Sequence, residues 1–284
     1  MAVQTPAHLE ARITRPLELL LACVVVIMIG YGVMLTVLPY YAERIHGLAG
    51  SDGRLLAFHV GLLTSVYALA QLVTSPFLGR LADRVGRRPL LLLGLAVVGA
   101  NQAFFGLVTS LTALYALRIL GGIAAASVLV AATAYVADST SDRDRSRGMA
   151  WFGTAVSLGL VAGPVLGGLL SRPGLSVRVE GIAVDGYSLP FFVAGLLALG
   201  IFLFACRALP ESMHPRRAVE PRSSKALEEG FPVVPRLGIL LSLVTAAQFG
   251  LALFEGSFIL YSQGRLASGW VSPKPVSLSW SVDQ

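Results

Sequence analysis

Seven long apolar runs dominate this sequence and leave little freedom in what it can fold into. They cover approximately residues 17–40, 57–78, 90–108, 111–136, 149–170, 189–206 and 237–261. About 20 apolar residues in helical form cross about 30 Å of hydrocarbon, and an α-helix keeps all of its backbone hydrogen bonds inside the segment. The expected fold class is an all-α membrane protein with seven spans. Charged residues make up 13% of the 284 positions, about half the usual quarter for soluble domains, and the mean hydropathy is +0.73. That balance excludes a cytosolic enzyme, a disordered chain and a nucleic-acid binder. The net charge of +6 points the same way, because 20 of the 22 basic residues are Arg and sit between the apolar runs.

Those Arg and Lys residues orient the chain, since cytoplasmic loops are enriched in them. Fifteen fall before the first run or in the second, fourth and sixth intervals, six lie on the other side, and Arg118 is left inside a run. The expected topology has the N-terminus in the cytoplasm of a multi-pass protein of the inner (plasma) membrane. The first run, about 24 residues, is too long for a cleaved signal segment. Cys23 and Cys206 form no metal spacing and no disulfide framework, and are expected to pack as small apolar groups. No metal or cofactor motif occurs.

Three motifs carry more information. The first is Gly79-Arg80-Leu81-Ala82-Asp83-Arg84-Val85-Gly86-Arg87-Arg88, between the second and third runs. Its glycines suit a tight turn, and Asp83 can accept hydrogen bonds from helix amides or from Arg. The second is Arg118-Ile119-Leu120-Gly121-Gly122 in the fourth run. A charge at that depth is costly and is expected to face the bundle interior or a water-filled cavity; the alternative is a side chain that snorkels to the outer interface. The third is Gly159-Leu160-Val161-Ala162-Gly163-Pro164-Val165-Leu166-Gly167-Gly168, in which Gly159, Gly163 and Gly167 make a flat stripe for a neighbouring helix and Pro164 removes a backbone donor.

The first motif resembles, at every defined position, the signature of the major facilitator superfamily of secondary transporters. The second is similar to that family's Arg-x-x-x-Gly pattern, and the third to the motif of its drug–proton antiporters. Leu189-Pro190-Phe191-Phe192 and Leu209-Pro210-Glu211-Ser212 are also like that branch. Thr36 stands where members of the branch often carry Pro. The resemblance implies two six-helix halves around a central cavity, alternating access, efflux of small drug-like molecules coupled to protons, and a gating role for Gly79, Asp83, Arg84, Gly86, Arg87 and Arg88.

On that resemblance residues 1–206 are the N-terminal six-helix half, 207–236 a polar cytoplasmic linker, 237–262 the first helix of an incomplete second half, and 263–284 a non-helical tail. Helices eight to twelve of the family are absent, so the expectation is a chain truncated by a frameshift or early stop near Gly264, inactive alone, or else a half-size protein that assembles with another half or with itself. A seven-helix receptor is the less favoured class, as its Asp-Arg-Tyr and Asn-Pro-x-x-Tyr motifs do not occur. Candidate proton sites are Glu255, inside the seventh run, and Asp138, at the inner end of the fourth, although Asp138 is better placed to pair with a loop Arg. Tyr31, Tyr67, Gln71, Asn101 and Gln102 are candidate cavity residues. The outer segment 171–188 carries a hairpin signal around Glu180-Gly181, against an irregular loop. Partners are a small-molecule substrate, protons and the lipid bilayer, with no nucleic acid.

The topology is testable by thiol labelling in a Cys23→Ser, Cys206→Ser background. A membrane-impermeant maleimide is expected to label Arg84→Cys only in everted vesicles and Thr109→Cys only in intact cells. The reverse pattern contradicts the Arg count.

Overall fold

A computed structural model describes residues 7–42, 45, 53–141, 143–171, 176–179 and 182–211, with a few positions between 238 and 250. The chain divides into two units, Met1–Arg216 and Arg217–Gln284. The seventh apolar run lies almost wholly outside the described residues, as does Glu255.

The first unit contains α1 (Ala7–Ala42), α2 (Gly53–Val85), α3 (Arg87–Phe105), α4 (Leu111–Ser139), α5 (Arg145–Leu170), β1 (Ser176–Val179), β2 (Ile182–Asp185) and α6 (Leu189–Ala208). All six helices are long and apolar enough to cross a membrane. The two strands pair antiparallel, with Val177 opposite Val184 and Val179 opposite Ile182. They are a small addition to an all-α membrane fold.

The helices run further than the apolar pattern predicts. The charged motif 79–88 lies between two apolar runs and its glycines suit a tight turn, yet α2 continues through Asp83 and Arg84 to Val85 and α3 begins at Arg87. Only Gly86 breaks the two helices. Its φ of 110° and ψ of 158° fall in a region that is essentially glycine-only. Hydropathy marks where lipid ends, whereas helix ends are set by backbone geometry, so α2 projects past its apolar stretch. At the other face α3 stops at Phe105, and Ser110 opens α4 by accepting a hydrogen bond from the Ala113 amide at 3.3 Å. Thr36, which stands in place of a proline, bonds back to the Gly32 carbonyl at 3.2 Å.

Within lipid, helices associate through close packing more than through expulsion of water. The most extensive pairing is α1 with α5, and it depends on the glycine stripe. A Cβ on Gly163 would lie 2.6 Å from the Gly32 Cα, and one on Gly159 would lie 2.5 Å from the Val25 carbonyl oxygen. Pro164 sits inside α5 without ending it, and its Cδ rests against Gly32. Gly167 is more loosely seated, and Gly168 faces open space.

Buried side chains form two apolar layers. The layer nearer the α2–α3 break gathers Leu20, Val24, Leu91, Leu95, Val128 and Tyr135, with Cys23 among them. The other gathers Val33, Leu38, Tyr41, Phe105, Leu114 and Phe191. In the second layer Tyr41, Phe105 and Phe191 meet in edge and tilted contacts with centroids 4.9–5.7 Å apart. The Tyr41 hydroxyl donates to the Val108 carbonyl at 2.7 Å, filling an acceptor just beyond the end of α3.

Gly163→Ala must push α1 and α5 apart, and overpacking of this kind costs about 1–3 kcal/mol. Gly168→Ala, with nothing within 4 Å, is expected to stay within about 0.5 kcal/mol of the parent. Thermal unfolding in detergent checks the contrast; equal effects would mean that the stripe is not what seats α5.

Candidate functional site

Among the described residues of the first unit, two constellations of polar side chains stand out, one at the helix ends around Gly86 and one between the two apolar layers.

The first is built around the Gly86 break. Arg87 lies one turn after Asp83, and its Nη1 donates to the Asp83 carboxylate while its Nε donates to Asp138 Oδ2 at 3.1 Å. One guanidinium thus ties the ends of α2 and α4 to the start of α3. Asp138 belongs to this ion-pair junction. Arg88 points the other way, and its Nη2 donates to the Cys206 carbonyl at 2.6 Å, a cation placed at the C-terminal turn of α6 where the helix dipole favours one. In return, Glu211, just past α6, accepts from the Arg87 amide at 3.1 Å and the Arg88 amide at 3.4 Å. The Gly86 amide is held by the Ala82 carbonyl and Pro89 has no N–H, so this carboxylate serves the two amides, of Arg87 and Arg88, left open at the start of α3. Gly86 is required here a second time, because a Cβ would lie 2.9 Å from Glu211 Oε2. Tyr135 completes the junction by donating to the Pro210 carbonyl at 3.0 Å. Arg84 is exposed, and Gly79 sits within α2 near Val130. An open groove beside the ion pairs is lined by Gly79, Asp83, Arg87, Ala134, Arg145 and Met149.

Glu211 was seen in the sequence only as part of a family-like tetrapeptide. Its role was not legible there, because it caps a helix that begins 124 residues earlier.

The second constellation surrounds Arg118. Its side chain is buried, with 3% exposure, so it faces the bundle rather than the outer interface. Its Nε donates to the Leu63 carbonyl at 3.2 Å, and its Cζ stands 5.0 Å from the centre of the Tyr67 ring. Tyr67 in turn stacks on Tyr31 at 5.4 Å. The approach of α4 to α2 depends on Gly122, where a Cβ would collide with the Tyr67 carbonyl. Arg118, Tyr31, Tyr67, Asn101 and Gln102 line one cavity of about 30 Å3, room for a water or two. Gln71 does not line it. Gln102 is satisfied by the Gly30 carbonyl at 3.0 Å. Arg118 Nη2 and Asn101 Oδ1 are buried without a hydrogen-bond partner. A cation–π contact is worth about 2 kcal/mol when desolvated, whereas removing an ion from water costs several kcal/mol even after relaxation. The aromatic face therefore offsets only part of the cost of burying Arg118. No Asp or Glu is among the cavity-lining residues. His59 stands outside both groups, its Nδ1 2.9 Å from the Tyr115 hydroxyl. Among the described residues no cluster of metal-ligating side chains occurs.

Among the described residues, the bundle of long apolar helices carries its ion pairs at one end and a polar cavity between its core layers, an arrangement compatible with a membrane transport protein. Comparison with known proteins gives the family. The profile of the Major Facilitator Superfamily matches residues 20–279. Multidrug resistance protein 2 of Bacillus subtilis (strain 168) is 33% identical over 268 residues, covering 91% of this chain and 60% of that protein. Tetracycline resistance protein, class B, of Escherichia coli is 32% identical over 249 residues, covering 86% and 56%. Among solved structures, the human organic anion transporter MFSD10 (TETRAN) superposes with a TM-score of 0.59 and 28% identity, over 74% of this chain and 49% of that one. The chain belongs to the Major Facilitator Superfamily, a family of transporters and not of enzymes. It spans about 60% of the length of the Bacillus relative.

Removing the Glu211 carboxylate exposes two amides at the start of α3, and losing a cap of this kind costs about 1 kcal/mol. Glu211→Ala is expected to lower the unfolding midpoint, and Glu211→Gln, which retains an acceptor, to lower it less. Gly86→Ala is expected to be worse than either, since it adds about 1–3 kcal/mol of backbone strain. The order of the three midpoints checks the assignment.

Proposed function

We propose that this chain forms the N-terminal six-helix unit of a proton-coupled exporter of small drug-like molecules, working by alternating access in the plasma membrane with its N-terminus in the cytoplasm. The observation that carries the reading is the match to multidrug and tetracycline resistance proteins over 86–91% of this chain. The geometry supports it in two places. The cytoplasmic-side junction holds α2, α3 and α4 through one guanidinium shared by two exposed carboxylates. Such a contact forms and breaks at little cost in water, as a gate requires. The cavity at Arg118 lies between α1, α2, α3 and α4, where rocking of one bundle against another would open it.

In this reading Asp83, Arg87 and Asp138 latch one conformation, while Arg84, Gly79 and the groove beside them receive a helix of a second bundle. That bundle comes from another six-helix half or from a second copy of the chain. The Gly159, Gly163 and Pro164 seat keeps α5 against α1, so the two move as one piece; Gly167 and Gly168 extend the same motif. Glu255 is the proposed proton carrier, and Gly122 keeps Arg118 at cavity depth. The substrate is a small molecule, and no cofactor takes part.

The test is dye efflux from everted vesicles holding the chain with and without a co-expressed second six-helix half. The expected result is efflux that stops when the pH gradient is collapsed and falls at least fivefold in Asp83→Asn or Glu255→Gln at equal protein level. Efflux that survives collapse of the gradient overturns proton coupling. No efflux in either preparation overturns the export function.

A further inference from the structure

Among the described residues, the cavity at Arg118 holds a charge with nothing acidic beside it. The guanidinium is always protonated and 97% removed from solvent by its 3% exposure. Charged side chains at this depth normally pair with one another or with backbone carbonyls, and Arg118 has the Leu63 carbonyl for its Nε alone. Here the facing groups are Tyr67, Tyr31, Asn101, Gln102 and a backbone carbonyl of α2, all neutral. Nη2 has no acceptor and Asn101 Oδ1 has no donor, and both atoms are buried. A water can satisfy both atoms; an occupant that also balances the buried charge presents an anionic acceptor to Arg118 and a hydrogen-bond donor to Asn101. The stacked tyrosine pair next to them offers a flat apolar face.

We propose that this cavity is an anion subsite, and that the substrates of the export function suggested above are organic acids carrying a carboxylate with a neighbouring hydroxyl or amino group. This rests on that reading for transport, though not for binding. A carboxylate oxygen takes the Arg118 Nη2 hydrogen bond, a charge-assisted contact strengthened by the dry surroundings, and the adjacent donor serves Asn101. A space of about 30 Å3 admits the head group alone, so the body of the ligand lies beyond the cavity mouth. A cationic drug would meet uncompensated like charge at this point.

The test is calorimetric binding of mandelate, its methyl ester, phenylacetate and benzylammonium to the purified full chain in detergent, in dilute HEPES buffer free of carboxylates and added halide. Mandelate is expected to bind at least tenfold more tightly than the ester or the amine, and severalfold more tightly than phenylacetate. These four measurements need no mutant, so they stand even where a variant fails to fold. Arg118→Gln is expected to erase the preference for acid over ester, Arg118→Lys to keep part of it, and Asn101→Ala to remove only the advantage of mandelate over phenylacetate. Equal binding of acid and ester, as for a cavity that holds water alone, overturns the proposal. So does displacement of mandelate by equimolar chloride, which would make this a halide site. Gradient-driven efflux of cationic dyes without acid preference in binding sinks the anion subsite and leaves the export function standing; acid binding without any gradient-driven flux does the opposite.

Discussion

In hydrocarbon, a backbone amide that finds no partner has no water to fall back on, and the rest of this structure follows from that constraint. It forces the six spans of the first unit into helices, which hydrogen-bond internally except where a proline such as Pro76 or Pro164 lacks the donor. It also moves the problem to the helix ends, where up to four amides and four carbonyls are left over. Ser110 serves the start of α4, Tyr41 serves the Val108 carbonyl, and Glu211 and Arg88 exchange caps between α3 and α6. Side chains that look like loop decoration are therefore what join one helix to the next.

With the backbone satisfied, the helices still need a reason to stay together. Apolar side chains gain little by leaving lipid for one another, so contact distance matters more than hydrophobicity. That is why glycine does so much here. Gly32 against Gly163 and Gly122 against the Tyr67 carbonyl bring backbones close enough for dispersion forces to add up along whole helices. The interior is sorted by depth as a result. Two apolar layers sit above and below a polar one, and the one buried charge among the described residues, Arg118, occupies that middle layer.

The two polar constellations differ in what solvent does for them. Asp83 and Asp138 are open to water, so their pairs with Arg87 are cheap to make and to break. Arg118 is sealed, and any partner it gains counts for much more. The gate proposed at the end of the bundle and the anion subsite proposed in its middle call for those opposite properties.

The sequence by itself determined the membrane class, the six spans of the described unit and the family, because span length, Arg placement and glycine spacing are local properties of the chain. The motif around Asp83 and Gly86 and the stripe at Gly159 and Gly163 were equally legible. Only the tertiary structure decided that α2 runs through that motif to Val85, since charged helix ends outside lipid leave no apolar signature. It also decided that Asp138 shares Arg87 with Asp83, that Glu211 caps α3, and that Gln71 stays out of a cavity which Asn101 and Arg118 line. Those facts depend on the rotation of each helix about its own axis. With a nearly all-apolar helix the pattern of residues does not specify that rotation, and packing against its neighbours does.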